Sequence, residues 1–360
     1  MARAIQLAKK GWYTARPNPR VGCVIVRAGA VVGKGWHQRA GGPHAEIAAL
    51  EQAGDAARGA TAYVSLEPCN HHGRTPPCAD ALITAGIARL VYGLADPHVI
   101  ASGGIGKLEA AGICVDGPVL EQEARALNAG FVKRCETGLP RVILKLAASM
   151  DGRSAMASGE SQWITGPAAR RDVQRIRAEN AAIITGIGTV LEDNPALTVR
   201  EVQPGLDESM LAEMQPLRVI VDSRLRTTEG LNILQPPGAV LIATAQSEGH
   251  VEGVEVCSLP NEDGKVDLQA LLAELGRREC NDVLVEAGGK LAGVFLQQGL
   301  VDELIIYMAP KLMGSAAMPM AVLPFEAMSE ALDLEITDMR AVGKDWRMTA
   351  KPGGGRCSQA

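Results

Sequence analysis

Two short segments of the first hundred residues hold side chains that can bind zinc and move protons. PHAEIAAL places His44 and Glu46 in the first turn of a predicted helix, and SLEPCNHHGRTPPC supplies Cys69 and Cys78. One histidine and two cysteines can hold zinc and leave a fourth position for water, while a nearby carboxylate transfers protons. This pattern is typical of zinc deaminases. We therefore predict zinc on His44, Cys69 and Cys78, with Glu46 as the proton carrier.

The spacing between the two cysteines departs from the common deaminase pattern. Eight residues, NHHGRTPP, separate them, where two are usual. A longer spacer would bulge away from the metal and form a wall of the pocket, which makes His71 and Arg74 candidates for substrate contact. A closed structural site with His71 or His72 as a fourth ligand is the alternative, and it would leave Glu46 without a role.

The second half of the chain holds a candidate site for an anion. In VEAGGKLAG a predicted strand ends at Glu286, and Gly288 and Gly289 lead into a helix whose first amides can bind a phosphate. Arg177 and Arg200 could clamp a phosphate from two sides. Ordinary turn chemistry and solvated arginines are the alternatives, because no G-x-G-x-x-G fingerprint is present.

Both halves of the chain alternate predicted strands and helices, which indicates two α/β domains. In the first half, strands at 21–27 and 31–36 precede a helix at 44–53, and a long helix at 120–137 closes the domain. In the second half, apolar runs at 141–149, 181–186 and 282–289 predict a mostly parallel sheet. We predict domains at 1–139 and 140–352 and a flexible tail at 353–360.

Composition and charge exclude several classes of partner. The formal net charge is −5, and no lysine- or arginine-rich stripe suggests a nucleic-acid surface. No apolar run approaches the roughly 20 residues of a membrane span. We expect a soluble cytoplasmic enzyme that acts on a small molecule, with a homo-oligomer as an open possibility.

Motifs along the whole chain resemble the bifunctional deaminase–reductases of riboflavin biosynthesis. They are PNPRVGCVIV, GWHQRAGGPHAE, LEPCNHHGRTPPC, KLAASMDGRSA, SGESQWIT, DNPALTVR, VEAGGKLAG and LVDELIIYMAPKLMG. The resemblance implies a cytidine-deaminase-like zinc domain followed by a dihydrofolate-reductase-like domain that uses NADPH. It also implies a phosphoribosylated diaminopyrimidinone as the substrate. The loop at 95–107 departs from the usual family sequence.

The same resemblance implies roles for individual residues. It matches His44, Cys69 and Cys78 to the zinc ligands, Glu46 to the proton carrier and Asn18 to a substrate-positioning amide, with His37 as a further candidate. In the reductase half, Lys145 and Glu286 are the candidates for the reaction centre. Substrate contacts are implied for Ser161, Arg177, Leu197, Arg200 and Glu286. Cofactor contacts are implied for Ala147, Trp163, Thr189, Asp193, Ser223, Gly288, Gly289, Lys290, Leu291, Ala292, Gly293 and Val294.

Three other classes of protein fit the sequence less well. A tRNA adenosine deaminase would show two residues between the cysteines, a basic face and no second large domain. A free-nucleotide deaminase would leave the second half unexplained. A zinc-stabilised binding module would need the fourth protein ligand.

Overall fold

A computed structural model describes residues 1–71, 76–201, 203 and 207–353. The chain divides into two compact units, Met1–Leu139 and Pro140–Ala360. Within the described residues, no helix is both long enough and apolar enough to cross a membrane.

Within its described residues, the first unit contains one five-stranded sheet and six α-helices. Its strands are β1 (Gly22–Arg27), β2 (Ala30–Trp36), β3 (Thr61–Val64), β4 (Arg89–Tyr92) and β5 (Cys114–Asp116). Its helices are α1 (Ala2–Ala8), α2 (Ala45–Ala53), α3 (Cys78–Thr84), α4 (Gly104–Ala110), α5 (Glu121–Leu127) and α6 (Ala129–Thr137). The strand order is β2–β1–β3–β4–β5. Strand β1 is antiparallel to both neighbours, while β3, β4 and β5 run parallel.

Small residues bring α2 close to the sheet. A Cβ atom on Gly33 would overlap the carbonyl oxygen of Ala49, and one on Gly35 would overlap that of Ala45. Ala45 and Ala49 are themselves fully buried. Since β2 has no side chains at these two positions, α2 packs directly on its backbone. This contact fixes the start of α2, where the predicted proton carrier lies.

The predicted helix at 120–137 is two helices, α5 and α6, with Asn128 between them. The Asn128 side chain accepts a hydrogen bond from the Arg20 N–H at 2.8 Å and donates one to the Arg20 carbonyl at 2.9 Å. The Arg20 guanidinium donates to the Leu127 carbonyl at 2.9 Å. The long-helix prediction was wrong because helical periodicity does not reveal a partner 108 residues away.

The second unit is built on a nine-stranded sheet. Its strands are β6 (Arg141–Ser149), β8 (Ala182–Gly186), β9 (Leu217–Val221), β10 (Val240–Thr244), β11 (Glu255–Ser258), β12 (Asp282–Val285), β13 (Glu303–Ala309), β15 (Leu334–Val342) and β16 (Asp345–Pro352), while β7 (Arg153–Ala155) and β14 (Met318–Pro319) form a separate pair. Its helices are α7 (Pro167–Glu179), α8 (Ile187–Asp193), α9 (Glu208–Glu213), α10 (Leu268–Arg277) and α11 (Gly289–Gln297).

The nine strands lie in the order β11–β10–β9–β8–β12–β6–β13–β16–β15. The strands from β11 to β13 are parallel, and β16 and β15 add an antiparallel hairpin at one edge. The mostly parallel sheet was predicted, but β11 and the β15–β16 hairpin were not. Helix α7 covers one face, where Val173 and Ile176 pack with Ile183 and Leu284. Residues 354–360 of the predicted tail lie outside the described residues.

A buried arginine anchors the loop before β10. Arg218 on β9 is fully buried, and its guanidinium donates to the carbonyls of Ile233, Pro236, Pro237 and Gly238 at 2.6–3.2 Å. These four acceptors take the place of a carboxylate partner. The loop is thereby held against the end of the sheet.

Candidate active sites

The first unit brings His44, Cys69 and Cys78 together. Their Nδ1 and Sγ atoms all lie within 4.8 Å of one another. His44 Nδ1 is 3.1 Å from Cys78 Sγ and 3.6 Å from Cys69 Sγ. Two ligands of one tetrahedral zinc, each about 2.0–2.3 Å from the ion, are separated by similar distances. The donor set therefore fits zinc, and among the described residues this is the only such group.

Helix starts position two of these residues. His44 is the N-cap of α2, and Cys78 is the first residue of α3. Cys69 lies in the loop after β3, and its sulfur accepts a hydrogen bond from the Cys78 N–H at 3.4 Å. A hydrogen bond from the Cys78 thiol lowers the pKa of Cys69 to about 4, and the same pairing raises that of Cys78. One of the two sulfurs is thus a thiolate, the form that binds metals.

Glu46 is buried beside this cluster. Only 3% of it is exposed, and burial raises the pKa of its carboxyl to about 7. It forms a hydrogen bond with the Cys78 side chain, so it lies within reach of the predicted metal. A carboxyl with a pKa near neutrality can both take up and release a proton at physiological pH.

His37 and Asn18 form a hydrogen-bonded pair next to His44. His37 Nδ1 lies 3.1 Å from the Pro43 carbonyl, and its Nε2 lies 3.1 Å from Asn18 Nδ2. Because a carbonyl only accepts, Nδ1 carries the proton and Nε2 accepts from the Asn18 amide. Burial lowers the pKa of His37, which favours this neutral form. His37 is 3% exposed, so its ring is buried beside Asn18 and Pro43.

Glu67 was not predicted, yet it braces the metal-binding loop. Its Oε1 accepts from the Gly103 and Ile105 N–H groups at 2.9 and 3.1 Å, and its Oε2 accepts from the Asp96 N–H at 3.0 Å. It lies two residues before Cys69 and is buried. An acidic residue shortly after a mostly apolar strand, two residues before Cys69, was the available signal. The loop from Asp96 to Gly103 and the start of α4 thus pack on the metal-binding segment.

The spacer between the cysteines is only partly described. His71 is half-buried, and its Nδ1 is a buried atom with no hydrogen-bond partner within the described residues. A buried polar atom without a partner is unusual in proteins, and substrate contact is the role predicted for His71. His72 and Arg74 lie outside the described residues.

The second unit brings Lys145, Arg177 and Glu286 together. Arg177 makes two hydrogen bonds to the Glu286 carboxylate, from Nε at 2.6 Å and from a terminal nitrogen at 3.1 Å. Lys145 Nζ lies 3.6 Å from the same carboxylate. Burial acts to raise the pKa of Glu286, but Arg177 and Lys145 lower it to about 2. Glu286 is therefore ionised at neutral pH and can only accept hydrogen bonds.

The predicted cofactor residues lie around the start of α11. Gly288 is the N-cap of this helix, which contains Gly289, Lys290, Leu291, Ala292, Gly293 and Val294. The Gly288 N–H donates to the Thr189 hydroxyl at 3.1 Å, which ties α11 to α8. A Cβ atom on Gly293 would overlap the Val322 carbonyl, so this glycine allows close packing.

The remaining predicted residues line other loops of the second unit. The Ser161 hydroxyl donates to Asp193 at 3.1 Å, and the Ser223 hydroxyl accepts from the Val266 N–H at 3.1 Å. Trp163 is 63% exposed, and the Arg170 guanidinium lies 4.6 Å from its ring centre. A large exposed aromatic ring is available for stacking.

Within the described part of the chain, three predicted residues show no side-chain contact that indicates a role. Ala147 lies on β6 opposite Tyr307. Leu197 is buried and has a φ of 49°. Arg200 is exposed, and its backbone N–H donates to the Gln174 side chain at 2.8 Å.

Two known families match the two units. Residues 1–94 match the cytidine and deoxycytidylate deaminase zinc-binding region, and residues 140–348 match the RibD C-terminal domain. The chain is 51% identical over 355 residues to the riboflavin biosynthesis protein RibD of Escherichia coli K12, with 96% of each chain covered. The chain belongs to the RibD family.

Further RibD proteins resemble the chain over nearly its full length. RibD of Haemophilus influenzae is 45% identical, covering 98% of this chain and 97% of that one. The solved structure of Acinetobacter baumannii RibD superposes with a TM-score of 0.91 at 44% identity, covering 98% and 97%. A Thermotoga maritima diaminohydroxyphosphoribosylaminopyrimidine deaminase/5-amino-6-(5-phosphoribosylamino)uracil reductase gives 0.87 at 33% identity, covering 98% and 97%.

These comparisons confirm the predicted family, the two-domain fold class and the bifunctional enzyme class. A RibD protein joins a deaminase and a reductase of riboflavin biosynthesis in one chain. The zinc-binding region of the family includes the cluster of His44, Cys69 and Cys78. The roles of the individual residues stay predictions.

Proposed function

We propose that the first unit deaminates 2,5-diamino-6-ribosylamino-4(3H)-pyrimidinone 5′-phosphate, and that the second reduces the ribosyl group of the product to ribityl with NADPH. The final product is 5-amino-6-ribitylamino-uracil 5′-phosphate. The observation that carries the proposal is the close grouping of one histidine and two cysteines beside the buried Glu46. The name of the Thermotoga maritima relative supplies the substrate.

In the deaminase, His44, Cys69 and Cys78 would hold zinc. Zinc at this site lowers the pKa of water and so supplies a hydroxide near neutral pH. Glu46 takes one proton from the attacking water and delivers it to the ring nitrogen, and then takes the second proton of the same water and delivers it to the amino group, which departs as ammonia. Its pKa of about 7 suits both transfers.

Asn18 and His37 support recognition of an amino-substituted ring. The Asn18 NH₂ group is engaged by His37 Nε2, so its Oδ1 is left to accept a hydrogen bond. An acceptor at this point favours a substrate group that donates, such as a ring N–H or an exocyclic amine. His71 and Arg74 are proposed as further substrate contacts from the spacer.

The deaminase proposal is tested with zinc analysis and a matched variant. We expect about one zinc per chain and ammonia release from the diaminopyrimidinone phosphate. Glu46→Gln keeps the size of the side chain but cannot carry the proton, so ammonia release should fall by at least about a hundredfold with zinc content unchanged. Normal ammonia release by Glu46→Gln, or a protein without zinc, would refute the proposal.

In the reductase, we assign proton donation to Lys145 and hydroxyl binding to Glu286. NADPH supplies the hydride that reduces the sugar carbon of the opened ribosyl group. Lys145 protonates the sugar as it opens, and the ionised Glu286 accepts hydrogen bonds from sugar hydroxyls. Arg177 and Arg200 bind the phosphate, with Ser161 and Leu197 as further substrate contacts.

The start of α11 is proposed to hold the cofactor. The first residues of α11, from Gly289, carry backbone amides of the kind that bind a pyrophosphate, while the Gly288 N–H is engaged by Thr189. Trp163 offers a stacking surface, and Ala147, Thr189, Asp193 and Ser223 complete the proposed cofactor contacts. NADPH oxidation should therefore occur only when the deaminated substrate is supplied. An absence of this substrate-dependent oxidation would refute the reductase assignment.

The metal cluster favours a catalytic site over a structural one. The described residues supply three ligands, the number that a catalytic zinc site uses together with one water. Cobalt substitution tests this choice, because a site with an exchangeable water gives a spectrum that responds to added anions. We further propose a cytoplasmic location. A homo-oligomer stays a prediction that the oligomeric state in solution would test.

A further inference from the structure

The reductase unit contains a fully buried hydroxyl that has no hydrogen-bond partner. Thr185 lies on β8 with 0% of its surface exposed, and its Oγ1 is unpaired within the described residues. Its neighbours on the same strand, Ile183 and Ile184, are buried hydrophobic residues. A valine would fill nearly the same space without burying an unpaired polar atom. The presence of a hydroxyl at this position therefore suggests that it has a functional role.

Strand register places Thr185 next to the predicted reaction centre. On one side of β12, Val285 pairs with Ile184, and on the other side it pairs with Leu144. The next position along each strand aligns Glu286 with Thr185 and with Lys145. The Glu286 N–H donates to the Ile184 carbonyl at 2.9 Å, which continues this register. Since aligned residues of parallel strands point to the same face, the three side chains form one row.

In this structure, the Glu286 carboxylate receives its side-chain hydrogen bonds mainly from Arg177. The Arg177 guanidinium binds both carboxylate oxygens, and Lys145 stands 3.6 Å away. In the proposed reaction Arg177 also binds the substrate phosphate, and it cannot serve both groups with the same N–H donors. Substrate binding would then remove the Arg177 donors from the carboxylate and leave Lys145 and the sugar hydroxyls as its partners. Thr185, in the adjacent position of the row, carries a free donor.

We propose that Thr185 is a positioning residue for Glu286. Its hydroxyl turns to donate to the Glu286 carboxylate when Arg177 moves to the substrate phosphate. This inference rests on the proposed reductase function. Neighbouring strands are about 4.8 Å apart, a separation that rotation of a threonine side chain can bridge to a longer carboxylate.

The role of Thr185 concerns the charge of Glu286 in the substrate complex. The charged groups that face Glu286 are Arg177 from α7 and Lys145 from β6. With Arg177 on the phosphate, Lys145 and the Thr185 hydroxyl hold the carboxylate ionised and aimed at the substrate. Loss of the hydroxyl makes protonation of Glu286 easier, because hydrogen bonds to a carboxylate stabilise its charged form.

The test compares Thr185→Val, which removes only the hydroxyl, with Thr185→Ser, which retains it. For Thr185→Val we expect the reductase kcat to fall roughly tenfold and the acidic limb of its pH profile to move to higher pH. The KM for NADPH should not change. Thr185→Ser should restore kcat to within about twofold and return the pH profile to that of the parent. Thermal midpoint and NADPH fluorescence check that the unit is folded.

A Thr185→Val enzyme with the parent's kcat and pH profile would overturn the inference. If Thr185→Val fails to bind NADPH, Thr185→Ser is compared with Thr185→Ala, and equal kcat values in that pair also overturn it. The activity of the parent protein distinguishes a failure of the Thr185 inference from a failure of the proposed reductase function. Without substrate-dependent NADPH oxidation by the parent, the proposed reductase function itself fails.

Discussion

At the scale of single residues, the sequence was enough to predict which residues form the metal cluster. It was not enough to predict which partners the neighbouring side chains contact. His44, Glu46, Cys69 and Cys78 stood out because few other roles need these types at this spacing, and the structure brings the three metal-binding side chains together. His37 was predicted as a substrate contact, whereas its ring nitrogens are engaged by Pro43 and Asn18. Its partners become neighbours only in the folded chain. The same is true of the three N–H groups that meet Glu67.

The contact between His37 and Asn18 predicts a coupled effect on the deaminase. His37→Phe removes the acceptor for the Asn18 amide, so kcat/KM for deamination should fall roughly tenfold to a hundredfold. Asn18→Ala should cost a similar amount. Because both act on one contact, the double variant should lose little more than either single variant. Losses that simply multiply would contradict this coupling, and an unchanged reductase rate is the control.

The raised pKa of the Asp96 carboxyl predicts that the stability of the folded chain depends on pH. Burial raises the pKa of its carboxyl to about 6, against an ordinary value of 3.8. The folded chain thus holds a proton that the unfolded chain releases between these values. Stability should fall as pH rises through this window, by on the order of 1–3 kcal/mol for this group.

Asp96→Asn removes the titrating group and tests this effect. Its thermal midpoint should exceed the parent's at pH 8 and match it at about pH 3, where Asp96 is protonated in both the folded and the unfolded chain. Differential scanning calorimetry at both pH values measures the difference. The same change in midpoint at both values would show that the titration of Asp96 is not the cause.

At the scale of elements, apolar runs predicted most strands because buried parallel strands are continuously hydrophobic. Strand β6 has the predicted bounds, Arg141–Ser149. The β15–β16 hairpin was missed since eight of the nine residues of β15 are exposed, so no buried face marks it in the sequence. The break at Asn128 was missed because its cause is a tertiary hydrogen bond. Local pattern thus predicted the continuously apolar strands, and it missed the partly buried β16 and the helix break set by a distant partner.

Two glycines of α4 provide a matched test of how this helix supports the metal-binding loop. A Cβ atom on Gly104 would overlap the carbonyl of Pro68, the residue before Cys69, while Gly106 has nothing within 4 Å. Gly104→Ala should lower stability by about 1–3 kcal/mol and speed zinc loss to a chelator. Gly106→Ala should be neutral or stabilising by up to about 1 kcal/mol. Equal zinc retention in the two variants would contradict the proposed support.

At the scale of the whole molecule, two different chemistries share one chain. Each compact unit contains its own set of candidate residues, and each matches its own family over most of its length. The full-length match to RibD proteins shows that this pairing is a property of the family. The order of the units could be predicted from the sequence because each motif set lies within one half.

A mixture of two inactive variants tests whether the units work separately. Glu46→Gln should stop ammonia release and leave reduction of the deaminated substrate intact, while Glu286→Gln should do the reverse. Because each unit has its own side chains, we expect the mixture to regain conversion of the first substrate to the final product. Product analysis by chromatography measures this. A mixture that releases ammonia yet forms no final product would indicate that the intermediate does not pass between molecules.

The reciprocal pairing of Asn128 with Arg20 has a consequence for synthesis of the chain. Arg20 follows Asn18 by two residues, yet its backbone is held by a side chain that the ribosome adds 108 residues later. The loop that presents Asn18 therefore cannot reach its final form until nearly the whole first unit has emerged. A nascent chain that already contains the metal-binding cysteines would still be an incompetent deaminase.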